Sequence, residues 1–111
     1  MTKITIYRTT DYYLGIEVSG HAGFAEAGED IVCAGISVLT INLINSLEEL
    51  SEDAFLVNED EETGYIKVWM SYEEDEEPDY ESQLLFDSYL IGIRSIKNDY
   101  NEFVKLEIKE V

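Results

Sequence analysis

The sequence predicts an α+β domain, two helices packed on a mostly antiparallel sheet in the order ββαββαβ. Three observations carry this. Several short segments alternate apolar and polar residues with the period of a strand, while residues 31–50 and 81–98 repeat their apolar residues at helical spacing. Hydrophobic residues make up 45% of the 111, enough for one core in a single domain spanning 1–111 despite a strong acidic excess.

Lys3 to Arg8 alternates, with Ile4 and Ile6 on one face. Tyr12 to Gly20 alternates too, placing Tyr12, Leu14, Ile16 and Val18 together, and Thr9-Thr10-Asp11 between them suits a turn. The two segments predict a β-hairpin. His21 to Asp30 follows, punctuated by Gly23 and Gly28 after Gly20, and reads as a loop expected to move. Asp30 is placed to cap a helix starting at Ile31. That helix carries one apolar stripe of Val32, Ile36, Leu39, Leu43, Leu47 and Leu50 and a second of Ala34, Val38 and Ile41. Two stripes imply burial on two sides, by the sheet and the other helix or by a partner subunit.

Ala54 to Val57 reads as a short strand, Asn58 to Gly64 as an acidic turn, and Tyr65 to Tyr72 as the returning strand. On the latter, Ile66, Val68 and Met70 oppose Tyr65, Lys67 and Trp69. Glu73 to Asp79 is an acidic linker holding Pro78, the one proline. Glu81 to Asn98 is the second helix, with a stripe of Leu85, Tyr89, Ile93 and Ile96 and with Arg94 and Lys97 at its negative end. Gly92 within it permits close packing. Phe103 to Val111 ends the chain as a strand, Val104, Leu106 and Ile108 opposing Lys105, Glu107 and Lys109. The pattern does not fix the strand order.

Lys and Arg number 7 against 25 Asp and Glu, a net charge of −18. Such a surface repels phosphate backbones and argues against direct nucleic-acid binding. It either attracts a basic partner or serves only solubility. The N-terminal residues lack an apolar signal core, and no stretch approaches the roughly 20 apolar residues of a membrane span. A soluble cytoplasmic protein without a membrane partner is the expectation. The single cysteine excludes an internal disulfide, in keeping with a reducing compartment.

The one histidine, His21, and the one cysteine, Cys33, lie 12 residues apart across the glycine-rich segment. A thiol in the first turn of a helix meets the positive end of the dipole and free N–H groups, which favour the nucleophilic thiolate. A histidine within reach can pair with that thiolate and then protonate a leaving amine. The free N–H groups can also bind the oxyanion of a tetrahedral intermediate. Each residue equally suits a structural role, Cys33 as a small buried apolar group and His21 as a strand-end residue bonded to a carbonyl. A zinc site from His21, Cys33, Glu26, Glu29 and Asp30 is the competing chemistry, but the paired cysteines or HExxH helix of common zinc sites are missing.

The segment Gly20-His21-Ala22 through Asp30-Ile31-Val32-Cys33-Ala34-Gly35-Ile36-Ser37 resembles the signature of the ribosomal-processing cysteine protease family, Prp. The resemblance extends over the chain in length and element order. It implies a cysteine endopeptidase that removes a short N-terminal extension from a basic large-subunit ribosomal protein during ribosome assembly. It implies Cys33 as nucleophile and His21 as general acid/base, no cofactor and no metal, and a homodimer. The cut is expected after apolar and aromatic residues and before a small one. Asp30 and Ser37 are neighbours that could support the pair, Ser37 one helical turn beyond Cys33 on the same face. Each has a plainer role, Asp30 as a cap and Ser37 as a packing hydroxyl. Phe24, Trp69 and Tyr89 could line a pocket for aromatic substrate side chains or belong to the core. The acidic stretches 59–62 and 73–77 are the expected attractors of a basic substrate. A non-catalytic acidic chaperone or assembly factor is the alternative.

Overall fold

The structure, a computed structural model, describes residues 1–20 and 29–111. The loop predicted between the first hairpin and the first helix, with its expected mobility, therefore lies outside the described residues.

β1 (Thr2–Arg8) and β2 (Tyr13–Ser19) form the first hairpin, with Ile4 opposite Val18 and Ile6 opposite Ile16. The register slips near the turn, where Tyr7 faces Gly15 but Arg8 faces Tyr13. Leu14 is thus an extra residue on β2, a bulge that reverses the alternation. Tyr13 rather than Tyr12 consequently joins the core. Its ring stacks on Phe86 at 5.3 Å, and its hydroxyl donates to Asp87 Oδ1 at 2.6 Å. Tyr12 stays outside the strand, edge-on to Tyr72.

α1 (Glu29–Leu50) begins two residues before the predicted Ile31. Asp30 therefore sits inside the first turn rather than ahead of it, because a carboxylate is favoured by the dipole in either place. Val32, Ile36, Leu43 and Leu47 are buried as expected and Leu39 is half-buried, while Leu50 is exposed. By length and composition α1 is apolar enough to cross a bilayer, contrary to the sequence reading. Its buried stripe packs on the sheet and the second helix as a core helix does.

β3 (Phe55–Asp60) and β4 (Tyr65–Met70) form the second hairpin. β3 runs three residues further than predicted, with Asn58, Glu59 and Asp60 paired to Lys67, Ile66 and Tyr65. An edge strand with exposed side chains tolerates residues of low β propensity. The turn shrinks to residues 61–64, where Gly64 supplies a φ of +68°.

α2 (Tyr80–Asp99) buries Ser82, Phe86, Tyr89, Leu90 and Ile93, with Leu85 and Ile96 at the margin of the core. The buried face is therefore turned from the predicted stripe toward Phe86 and Leu90. Gly92 brings α2 onto α1: a Cβ there would lie 3.0 Å from Leu39 Cδ1. A short 3₁₀ turn, Asn101–Phe103, leads into β5 (Val104–Glu110), which lies parallel to β1.

The sheet order is β3-β4-β2-β1-β5. Ile4, Ile6, Ile16, Val18, Val68 and Met70 share its covered face under both helices. The opposite face is open, and there Tyr7 and Trp69 meet edge-on at 5.4 Å across Gly15, which has no side chain to part them.

Candidate active site

Cys33 is the fifth residue of α1, at the start of its second turn rather than in its first, since the helix begins earlier than predicted. The free N–H groups belong to the turn before it. The thiol is buried, 4% exposed, and its sulfur lies 3.2 Å from Thr2 Oγ1 at the start of β1. Both residues line a cavity of about 190 Å³ at one end of the sheet, between the N-terminal half of α1 and the β3–β4 turn. The pairing of Val18 with Ile66 brings the ends of β2 and β4 together to form its apolar wall with Ile36. Ser37, one turn along α1, contributes a half-buried hydroxyl. Glu59, Asp60 and Glu61 close the far side, so one cavity holds both the thiol and an acidic cluster.

Two further hydroxyls on this cavity are committed elsewhere. Thr40 Oγ1 donates to the Ile36 carbonyl at 2.7 Å and lies 2.8 Å from the Tyr89 hydroxyl. Tyr65 donates to Glu17 Oε2 at 2.7 Å; that hydrogen bond, then burial, push its hydroxyl up to about 12. Tyr65 therefore keeps its proton near neutral pH and is not a base for the thiol.

Of the predicted site residues, the structure places Cys33 and Ser37 on one cavity. Asp30 is exposed in the first turn of α1 and is not part of that lining. His21 lies outside the described residues, as do Glu26 of the zinc alternative and Phe24 of the aromatic one. Tyr89 is core, and Trp69 stands on the open face of the sheet, so neither lines the cavity. Thr2 went unrecognised in the sequence, where a threonine near a strand start has no distinguishing mark. The acidic stretch 59–62 was marked as an attractor, but its place beside Cys33 follows only from the hairpin's fold.

A fold of this topology, with a lone thiol on a helix-lined cavity, is one that a cysteine peptidase can use. The family model for cysteine protease Prp matches residues 1–105. The ribosomal processing cysteine protease Prp of Bacillus subtilis is 31% identical over 107 residues, 96% of each chain. The crystal structure of the ribosomal processing protease Prp from Staphylococcus aureus with a substrate peptide superposes with a TM-score of 0.88 at 27% identity, covering 98% of this chain and 100% of that one. A Streptococcus mutans protein of known structure matches with the same TM-score at 38% identity, covering 100% of this chain and 96% of its own. The chain belongs to the Prp family of cysteine proteases. It is an enzyme, and the alternative of a non-catalytic acidic assembly factor gives way.

Proposed function

We propose that this protease removes the short N-terminal extension of a basic large-subunit ribosomal protein in the cytoplasm, with Cys33 as nucleophile and His21 as acid/base. The observation that carries the reading is the position of Cys33, the only thiol in the chain, on a cavity large enough for a substrate side chain and walled on one side by carboxylates. His21 takes the thiol proton, and the Cys33 thiolate attacks the scissile carbonyl, its lone pair forming the S–C bond as the carbonyl pair moves onto oxygen. That pair returns to carbon as the C–N bond breaks and His21 gives its proton to the leaving amine. Water, deprotonated by His21, then attacks the thioester; the S–C bond breaks, releasing the second product and the thiol. Glu59, Asp60 and Glu61 favour a basic substrate. The B. subtilis and S. aureus relatives, named for ribosomal processing, support the substrate class.

The enzyme acts as a homodimer in this reading. The second apolar stripe of α1 is not covered by the described residues: Val38 is 67% and Ile41 52% exposed, Ala34 is exposed, and Ile31 extends the row at 63%. The 3-4-3 spacing of these four residues is that of a helix–helix seam. Ile41 also lines the cavity, so a partner seated on the stripe would lie beside the site.

The test is incubation of purified wild type and Cys33→Ala with the extended ribosomal protein, followed by mass measurement. The wild type yields a single trimmed product, and Cys33→Ala yields none while keeping the wild-type circular dichroism. Full cleavage by Cys33→Ala, or no trimming by the wild type, would overturn the reading.

A further inference from the structure

Among the described residues, a threonine hydroxyl from a different element is seated against the thiol. Thr2 Oγ1 and Cys33 Sγ are 3.2 Å apart, hydrogen-bond distance for a sulfur, and Thr2 is 1% exposed. The backbone of Thr2 is paired with Val104 of β5, and its β-branched side chain has few rotamers. The sheet thus sets the oxygen and α1 sets the sulfur, so the contact does not depend on a flexible side chain.

Either atom can donate while the sulfur is protonated. Once the sulfur ionises it can only accept, and the Thr2 O–H is then the donor. A hydrogen bond to the charged form favours that form. We infer that Thr2 is a positioning residue for the cysteine protease: its hydroxyl donates to the Cys33 thiolate, aims Sγ at the cavity and favours the ionised state. The inference rests on Cys33 being the nucleophile proposed above. The sulfur's lone pair enters the new S–C bond during attack, so the hydrogen bond weakens along the reaction. Removing the Thr2 hydroxyl therefore lowers the amount of thiolate, while each thiolate that remains is more basic and reacts no more slowly.

The experiment measures alkylation of Cys33 by iodoacetamide against pH, by intact mass, in wild type, Thr2→Val and Thr2→Ser, without substrate. In Thr2→Val the midpoint of the rate profile moves up by about one pH unit, a roughly tenfold loss of thiolate on the acid limb. The plateau above the midpoint stays within about threefold, since a more basic thiolate is no poorer a nucleophile. Thr2→Ser restores the wild-type midpoint. The acid limb of kcat/KM with the extended ribosomal protein moves in parallel. If buried valine unfolds the chain, Thr2→Ala tests the same loss of hydroxyl. An unmoved midpoint in the folded variants, or an equal shift in Thr2→Ser, overturns the role of Thr2 while leaving Cys33 as nucleophile. Retained cleavage by Cys33→Ala overturns the underlying reading instead, whatever the alkylation profile shows.

Discussion

Replacing Thr40 with valine isolates one polar link between the two helices. Thr40 is fully buried, and its single hydroxyl proton goes to the Ile36 carbonyl one turn back at 2.7 Å. The Tyr89 hydroxyl, 2.8 Å away on α2, must then donate to Thr40 Oγ1. Valine keeps the volume and removes the acceptor, leaving a tyrosine hydroxyl stranded in a core where Tyr89 is 3% exposed. An unsatisfied buried hydroxyl costs about 1–3 kcal/mol, so Thr40→Val is expected to lose about 2 kcal/mol. Tyr89→Phe leaves Thr40 its bond to Ile36 and should cost only about 1 kcal/mol. In the double variant no donor is stranded, and the loss should fall short of the sum by about 1 kcal/mol. Urea unfolding at one fixed protein concentration measures all three, the fixed concentration being required if the native state is dimeric. A Thr40→Val protein within about 0.5 kcal/mol of wild type, or a strictly additive double variant, would show that the two hydroxyls are not coupled as described.

Alkaline pH should weaken the fold through tyrosines: burial pushes Tyr72 and Tyr89 up to about 12, and Glu17 does the same for Tyr65. The unfolded chain gives up these protons near 10.0, so their contribution is complete below that pH and is lost as pH rises toward about 12. Tyrosinate absorbance alongside melting curves checks this, and a native titration in which all eight tyrosines ionise together near 10 would contradict it. Val38→Glu with Ile41→Glu should convert a dimer to a species of 12.7 kDa by light scattering, and a wild type already at that mass would remove the dimer. Rising salt should lower kcat/KM on a basic substrate by roughly tenfold while kcat holds, because screening beyond about 8 Å affects encounter rather than chemistry. A flat kcat/KM would show that the −18 charge plays no steering part.

Local pattern carried the seven-element order, because every element but the edge strand β3 sets a recurring apolar face against the same core. What local pattern could not carry were the features decided by a neighbour. The Leu14 bulge moves Tyr13 inward, and nothing in Tyr12-Tyr13-Leu14 distinguishes the two rings before Phe86 is placed beside one of them. Asn58 to Asp60 read as turn by composition, yet pairing with β4 makes them strand because the edge position exposes their side chains. The turned face of α2 has the same origin: Phe86 and Leu90 are apolar in the sequence too, and only the folded sheet, where Phe86 stacks on Tyr13, draws them deeper than Leu85 and Ile96. At the site, the rarity of the chemistry singled out Cys33, the one thiol in 111 residues, which the structure places on the cavity; His21, singled out in the same way, lies outside the described residues. Thr2 and Ser37 are ordinary hydroxyls, and they acquire meaning only when β1 and α1 are laid side by side.

That juxtaposition bears on an opposition built into the chain. An acidic surface suits a basic substrate, but carboxylates beside a thiol oppose its ionisation. The two demands meet in one cavity, whose lining Cys33 shares with Glu59, Asp60 and Glu61. They are reconciled by range. The Thr2 hydroxyl acts on the sulfur over 3.2 Å from within the protein, where the low dielectric strengthens a hydrogen bond. Glu59, Asp60 and Glu61 are exposed, so water and salt screen their repulsion of the sulfur. A basic substrate reverses even that residual term, because its cations settle on the same carboxylates and neutralise them as the scissile bond arrives. Thr2→Val should therefore be most damaging on substrates that lack basic residues.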